Sequence, residues 1–154
     1  MNGYLLDTNH CAWLIEGNPE IIQGLKERRD EGIVTSVTVQ GELVLMARNS
    51  ERIGDNFNRV TAFLEGIEVL PVDSQTAAYY GGLKAALMGH FGPRAGLKGR
   101  KIETRQLGFE ENDLWIAATA LRHRLIVVTS DSDFTRMTEV VDISVERWWP
   151  PEHA

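Results

Sequence analysis

Short apolar runs alternate with amphipathic stretches along nearly the whole chain. The runs are rich in leucine, isoleucine and valine and end at polar or turn-forming residues, which is typical of buried strands. They lie at residues 4–6, 33–35, 67–70, 125–129 and 141–145. In the intervals apolar residues recur at helical spacing, which predicts helices there, for example over about residues 19–30 and 50–64.

The order of these elements predicts an α/β fold. Strands and helices follow one another as β-α-α-β-α-α-β-α-loop-α-β-α-β, which is typical of a three-layer sandwich, a central mostly parallel sheet with helices on both faces. No internal repeat or linker divides the chain, so one domain is expected over residues 1–154. The carboxyl ends of parallel strands lie on one side of such a sheet, where α/β proteins bind their ligands.

Two of the predicted strands run into acidic residues. The strand at residues 4–6 is followed by Asp7, and the strand at 125–129 is followed by Asp131. Both carboxylates are therefore expected at the same edge of the sheet. Hydroxyl and amide side chains accompany them and are expected to orient the carboxylates through hydrogen bonds. These neighbours are Thr8, Asn9 and Thr129.

Two further acids are embedded in apolar helices. Glu42 lies in a helix that is expected to begin at an N-cap, Ser36. Asp113 falls in the first turn of a nearly apolar, central helix, for which Asn112 is the expected N-cap. Burying an unpaired carboxylate costs free energy, so each acid either points to solvent or belongs to a site.

These four acids form the candidate site. Carboxylates crowded together repel one another and resist ionising unless divalent cations neutralise them. Because the donors are oxygens and no His or Cys cluster accompanies them, the expected ion is Mg²⁺, with Mn²⁺ as a substitute, rather than Zn²⁺. Such an ion supports phosphodiester hydrolysis, since it lowers the pKa of a bound water and stabilises the leaving oxygen. The predicted metal-binding and catalytic residues are Asp7, Glu42, Asp113 and Asp131.

Each acid taken singly also has a plainer explanation. Asp7 and Asp131 are suited to cap the helix or turn that follows them, and Asp113 is suited to the positive end of a helix dipole. Glu42 can be solvated. Asp133 is interpreted first as a cap for the turn that follows it, and otherwise as a supporting acid at the edge of the site.

A glycine-rich, basic segment lies between the predicted helices. Residues 89–108 hold several Gly residues and a Pro, which predicts a long flexible loop. The basic residues of this loop are Arg94, Lys98, Arg100, Lys101 and Arg105. We expect them to contact the backbone of a nucleic-acid substrate, a solvated face being the plain alternative. The net charge of −6 argues against a protein that coats nucleic acid with a broad basic face.

Signals for compartment and cofactor are few. The one cysteine, Cys11, excludes an intrachain disulfide and favours a reducing cytoplasm. No apolar run approaches the ~20 residues of a membrane span, and the N-terminus lacks the pattern of a signal peptide. No Gly-rich phosphate loop follows a strand, which disfavours nucleotide-binding classes.

Four ordered motifs resemble the acidic motifs of PIN-domain proteins, most closely VapC-type toxins of bacterial toxin–antitoxin pairs. The motifs lie at residues 5–9, 36–43, 112–120 and 128–134. The resemblance spans nearly the whole chain and implies a PIN-like sandwich and a Mg²⁺-dependent endoribonuclease that cuts RNA. It also implies a homodimer, and a VapB-type antitoxin that neutralises the toxin by docking a segment near the site.

The resemblance assigns site residues by position. Those that match the metal-site acids of the family are Asp7, Glu42, Asp113 and Asp131. Thr129 matches the hydroxyl at the end of the fourth strand. Asp133 is the alternative to Asp131, because the last acid varies in the family. The long segment at residues 89–108 departs from a minimal PIN domain and leaves the RNA specificity open.

Two other functions compete with the ribonuclease. A PIN-like module that has lost catalysis would bind protein or RNA as a scaffold, but retention of all four acids argues against it. A phosphate-transfer domain of the response-regulator kind also carries acids at strand ends. It usually needs a lysine after the last of these strands, where this chain has Ser130 and Asp131.

Overall fold

Five parallel strands form one sheet in the order β3-β2-β1-β4-β5 in the computed structural model, which describes residues 3–92 and 102–151. The strands are β1 (Gly3–Leu6), β2 (Gly32–Ser36), β3 (Glu68–Leu70), β4 (Leu125–Val128) and β5 (Ser144–Glu146). Every pairing between neighbouring strands is parallel. The predicted α/β class and the predicted order of elements are confirmed, and the sheet is parallel throughout.

Helices connect successive strands. They are α1 (Thr8–Ile15), α2 (Pro19–Glu27), α3 (Val37–Arg48), α4 (Ile53–Glu65), α5 (Ser74–Phe91), α6 (Glu111–His123) and α7 (Ser132–Met137), with a 3₁₀ helix at Thr104–Leu107. Side chains at the N-caps accept backbone N–H groups at the starts of several helices, including Ser36 from Val39 at 3.2 Å and Asp73 from Thr76 at 2.8 Å. Within the described residues, no helix is both long and apolar enough to cross a membrane.

The centre of the sheet is the most buried part of the fold. Leu5 and Leu6 of β1 are fully buried, as are Val127 and Val128 of β4 beside them. Leu5 lies in register with Val34 on one side and Val127 on the other. A strand covered on both faces needs apolar residues at every position, which explains why these runs do not alternate with polar residues.

The strand order places a crevice between the ends of β1 and β4. From β1 the chain moves outward through β2 to β3, and it then returns to the other side of β1 to form β4 and β5. In open parallel sheets, the point at which the strand order reverses leaves a crevice outside the carboxyl ends of the strands. Asp7 follows β1 directly, and Asp131 lies just beyond β4.

Several predicted boundaries were wrong. α6 begins at Glu111, so that Glu110 occupies the N-cap position and Asn112 does not cap the helix. α4 begins at Ile53 rather than near residue 50, and α2 ends at Glu27. The predicted loop at residues 89–108 is shorter, because α5 continues to Phe91 and a 3₁₀ helix begins at Thr104; residues 93–101 lie outside the described part.

Candidate active site

An acidic cleft lies at the carboxyl edge of the sheet. It collects residues from the segments after β1 and β4, from α3 and from the start of α6. All four predicted acids line it. The cleft residues are Asp7, Thr8, Asn9, Glu42, Leu45, Met46, Glu110, Glu111, Asn112, Asp113, Ile116 and Asp131. The convergence that the sequence predicted for Asp7, Glu42, Asp113 and Asp131 is therefore present in the fold.

Asp7 is held at the floor of the cleft. Its residue is only 5% exposed, and its backbone N–H donates to the carbonyl of Val128 at 3.1 Å, which ties the end of β1 to β4. Its Oδ1 accepts the backbone N–H of His10 at 2.9 Å, so Asp7 is the N-cap of α1. The same Oδ1 lies 3.0 Å from Nδ1 of the His10 ring. Asp7 is thus both a helix cap and a lining residue of the cleft.

Thr8 and Glu42 are joined across the cleft. The hydroxyl of Thr8 donates to Oε1 of Glu42 at 2.6 Å, linking the first turn of α1 to the middle of α3. Glu42 is half-buried, so it is neither fully solvated nor buried without a partner. Thr8 therefore contacts a carboxylate of the cleft through its hydroxyl, whereas Asn9 is exposed and lies at the rim of the cleft.

Asp113 lies among the other acids. Burial raises its pKa most, and the charges of Asp131, Glu42, Asp133 and Asp7, in that order, raise it further, to about 8. No hydrogen bond reaches its carboxylate from the described residues. Each neighbouring negative charge favours the protonated form. When no cation is bound, the charged form of Asp113 is therefore disfavoured both by burial and by the neighbouring carboxylates.

Asp131 and Asp133 both belong to the cluster. Carboxylate oxygens of Asp113, Asp131 and Asp133 lie within 4.8 Å of one another. Oδ1 of Asp131 accepts the backbone N–H of Asp133 at 2.9 Å, so Asp131 is the N-cap of α7. The prediction that Asp133 caps this turn was wrong, because α7 begins one residue before Asp133. Thr129 accepts the backbone N–H of Asp131 at 3.0 Å and thereby fixes the turn rather than the carboxylate itself.

Arg136 distinguishes Asp133 from Asp131. Its Nη1 lies 3.3 Å from Oδ1 of Asp133, one turn earlier on α7. Burial and the charge of Asp131 raise the pKa of Asp133, while the guanidinium of Arg136 acts against that rise. Asp133 thus has a cationic partner of its own, and no such partner contacts Asp131 in the described part of the chain.

Two residues that bear on the cleft were not predicted from the sequence. His10 does not line the cleft but contacts Asp7, and its position three residues after a capping Asp7 was a usable signal. Glu111 does line the cleft, and its carboxylate accepts hydrogen bonds from Thr104 and Tyr80. Burial favours its neutral form, but these two hydrogen bonds lower the pKa of Glu111. Both carboxylate oxygens of Glu111 therefore already accept hydrogen bonds from the protein, whereas those of Asp113 accept none from the described residues.

Of the five predicted substrate-binding residues, four lie outside the described part of the chain, namely Arg94, Lys98, Arg100 and Lys101. Arg105 is described and is exposed, with Nη2 at 3.7 Å from Oε2 of Glu103. It lines a second depression that shares Glu110 and Glu111 with the acidic cleft. Arg105 therefore lies beside the site but not within it.

The donor set of the cleft suits a hard divalent cation. Its ligating groups are carboxylates, with no cluster of His or Cys side chains among the described residues. Mg²⁺ and Mn²⁺ prefer such oxygen donors, while Zn²⁺ sites are usually built from His and Cys. A cation would also relieve the repulsion that raises the pKa of Asp113.

A model of the PIN domain family matches residues 4–140, which run from β1 through α7. The chain belongs to the PIN-domain family. The match contains all four predicted acids, so the motifs that suggested the resemblance include residues that line the cleft. The resemblance to VapC-type proteins is confirmed by the relatives that follow.

Ribonucleases of the VapC group are similar to this PIN-domain chain over almost its whole length. Ribonuclease VapC2 of Haemophilus influenzae is 31% identical over 147 residues, covering 94% of this chain and 97% of that protein. Among solved structures, DNA-bound VapBC from Salmonella typhimurium aligns with a TM-score of 0.76 at 27% identity, covering 96% of this chain and 99% of that one. VapBC2 from Rickettsia felis, bound to a DNA fragment from its promoter, aligns with a TM-score of 0.73 at 26% identity, covering 95% and 98%.

Proposed function

We propose that this PIN-domain protein is a divalent-metal-dependent endoribonuclease that hydrolyses RNA phosphodiester bonds, and that it is the toxin of a toxin–antitoxin pair. The observation that carries the proposal is the convergence of Asp7, Glu42, Asp113 and Asp131 on one cleft. The relatives named as VapC ribonucleases support the same class of reaction. The ion is Mg²⁺, with Mn²⁺ as its substitute, because all donors are carboxylate oxygens.

The residues that would hold the ion are Asp7, Asp113 and Asp131, with Glu42 on the opposite wall. The chemistry that a cation supplies when bound is activation of water for attack on phosphorus and stabilisation of the leaving oxygen. Asp133 is the weaker candidate for a ligand, since Arg136 already pairs with it. We therefore propose Asp131, rather than Asp133, as the fourth acid of the site.

The chain itself contributes positioning and proton transfer. Thr8 holds one oxygen of Glu42, and the two donors of His10 hold one oxygen of Asp7. Asp113 has no hydrogen-bond partner among the described residues, so its carboxylate is free to bind a ligand or to take up a proton. These restraints fix most of the cluster before substrate arrives, which lowers the cost of ordering it during the reaction.

The cleft by itself would repel RNA, because acidic side chains line it. Phosphate therefore needs a cation in the cleft and donors around it. Asn9 and Asn112 line the cleft and provide neutral amide donors. The basic residues proposed to contact the RNA backbone are Arg94, Lys98, Arg100, Lys101 and Arg105.

We propose a VapB-type antitoxin as the protein partner. Leu45 and Met46 of α3 line the cleft beside the acids and are 59% and 48% exposed. An antitoxin segment with apolar side chains would cover them, and a cationic side chain on the same segment would pair with the acids. The solved relatives named VapBC support a partner of this class. The homodimer expected from the resemblance stays a prediction, which light scattering of the purified protein would test.

Cleavage of RNA by the purified protein tests the proposed function. Wild type should cut single-stranded RNA with Mg²⁺ or Mn²⁺ and lose this activity in excess EDTA. D7N and D113N should be inactive. D30N is a matched control, because Asp30 is exposed and lies in a turn away from the cleft, and it should cut like wild type. Wild type that binds RNA but never cuts it would favour the inactive binding module instead.

A further inference from the structure

We propose that His10 is a positioning residue that fixes Asp7, so that only Oδ2 of Asp7 is presented to the cleft. This inference rests on the proposed function, because it assumes that Asp7 is a ligand of the catalytic ion. It adds a role for a residue that lies outside the acidic cluster. His10 does not line the cleft and contacts the site only through Asp7.

Both donors of His10 converge on one oxygen. The backbone N–H lies 2.9 Å from Oδ1 of Asp7 and the ring Nδ1 lies 3.0 Å from the same atom. Among the described residues, no hydrogen bond reaches Oδ2. A capping bond alone restrains one oxygen weakly, whereas two donors from different directions fix the plane of the carboxylate. The free oxygen is then held in one orientation.

The tautomer of His10 follows from its partner. An ionised carboxylate can only accept hydrogen bonds, so the ring nitrogen that faces Oδ1 must carry the hydrogen. Nδ1 is therefore the protonated nitrogen. Nε2 is buried and has no partner among the described residues. The ring thus makes one polar contact, and that contact is with Asp7.

Packing alone does not explain a histidine at this position. His10 is fully buried and its ring meets the edge of Trp13 with centroids 5.3 Å apart. A leucine would fill similar space without burying an unpaired nitrogen, which costs free energy. The hydrogen bond to Asp7 is the polar interaction that the histidine adds. A supporting residue of this kind changes metal affinity about 10- to 100-fold when it is removed.

The test uses three substitutions at His10 and Mn²⁺ as the probe. H10L removes the ring donor and fills similar space with an apolar side chain. H10N places an amide N–H near the position of Nδ1, and H10Q places it one bond further out. Isothermal titration with Mn²⁺ measures the Kd, and circular dichroism confirms the fold of each variant. We expect the Kd to rise about 10- to 100-fold in H10L and in H10Q, and to stay within about threefold of wild type in H10N.

A merely structural role for His10 predicts a different pattern. If the ring only fills space, Mn²⁺ affinity will not separate H10N from H10Q, and that result overturns the proposal even if H10L fails to fold. Equal Mn²⁺ affinity in wild type and a folded H10L overturns it as well. Wild type that binds no Mn²⁺ would instead contradict the proposed function, and would remove Asp7 as a ligand for His10 to position.

A second measurement needs no metal. Nitrogen-15 correlation spectra of the His10 ring report which nitrogen carries the hydrogen. The proposal predicts the Nδ1–H tautomer in wild type, and loss of that tautomer in D7A, which removes the acceptor oxygen. An Nε2–H tautomer in wild type would contradict the hydrogen bond to Asp7 and overturn the proposal.

Discussion

The hydroxyl of Thr8 donates to Oε1 of Glu42 at 2.6 Å, across 34 positions of the sequence. This bond joins the helix that follows the central strand to the helix that follows its neighbour, so it spans one side of the acidic cleft. T8V keeps the shape of the side chain but removes the donor. We expect T8V to lower RNA cleavage about 10-fold, because Glu42 is no longer oriented.

T8S is the matched variant for this bond, because serine retains the hydroxyl. It should keep most of the activity that T8V loses, as measured by initial rates of RNA cleavage in Mg²⁺. Thermal unfolding of both variants provides the control for stability. Equal rates in T8V and wild type would mean that Glu42 needs no help from Thr8.

The raised pKa of Asp113 makes the metal-free protein depend on pH. The folded-state pKa of about 8 lies above the ordinary value of 3.8, so the folded state keeps a proton that the unfolded chain loses. Stability from this group is therefore full at low pH and falls as pH rises between about 4 and 8. Asparagine at this position cannot ionise, so D113N should not show this decrease of folding stability with pH.

D113N should accordingly be more stable than wild type at pH 8 without metal, by about 1–2 kcal/mol after allowance for solvent screening. For a chain of this size that is about 2–8 °C in Tm. The difference should shrink toward pH 4. Melting curves in EDTA at several pH values measure it, and D30N should follow wild type throughout. A D113N protein that melts below wild type at pH 8 would show that Asp113 stabilises the fold.

Divalent cations should offset the loss of stability that ionised Asp113 causes at high pH. Mn²⁺ binds the folded state only, so it should raise the Tm of wild type, by about 3 kcal/mol in stability at a hundredfold excess over Kd. The increase should be larger at pH 8 than at pH 5, because protons compete with the ion for the carboxylates. D113N should show a much smaller increase. An equal rise in D113N and wild type would mean that the ion binds elsewhere.

Arg136 connects the acidic cluster to an aromatic pair. Its guanidinium lies over Phe91 and Phe109, with 4.8 and 4.3 Å to the ring centroids, and donates to the carbonyl of Gly108 at 3.0 Å. R136M removes these contacts and the pairing with Asp133, and should cost about 1–3 kcal/mol. R136K should lose part of that, since lysine cannot stack its charge in the same way. Urea unfolding measures both, and an unchanged midpoint in R136M would contradict the prediction.

The apolar residues beside the cleft should matter for the antitoxin. L45K introduces a charge where we expect apolar antitoxin side chains, and should weaken binding of the cognate antitoxin at least about 10-fold. Ile53 is 48% exposed and does not line the cleft, so I53K is the control and should bind like wild type. Surface plasmon resonance with the purified antitoxin measures both. Equal weakening by the two variants would indicate a nonspecific effect of the added charge.

The features that were predictable from the sequence are those set by local pattern. An apolar run followed at once by an acid is enough to place Asp7 and Asp131 at strand ends, and parallel strands then bring the two acids to one edge. The order of elements followed from the hydrophobic pattern along the chain, and the family followed from four short motifs. The part of the site that lies on these strand ends could therefore be predicted before any contact was known.

The contacts between distant elements were not predictable in the same way. Glu42 accepts its hydrogen bond from Thr8, which lies 34 positions earlier in the sequence. The packing of α1 against α3 brings the two residues together, and local sequence spacing gives no sign of it. Whether Asp131 or Asp133 caps α7 depends on whether the helix begins at Ser132 or at Phe134, and the sequence pattern does not distinguish two starts this close together. Asn112 failed as a cap because α6 already starts at Glu111, whose carboxylate is held by Thr104 and Tyr80.

The acidic cleft is proposed to hold the catalytic cation. Anomalous diffraction from crystals of the wild-type protein grown in Mn²⁺ tests it most directly. The account predicts a manganese peak in the cleft, in contact with carboxylates of Asp113 and Asp131, and no such peak in D113N. A manganese peak elsewhere with this cleft empty, at an ion concentration above the Kd measured in solution, would contradict the account.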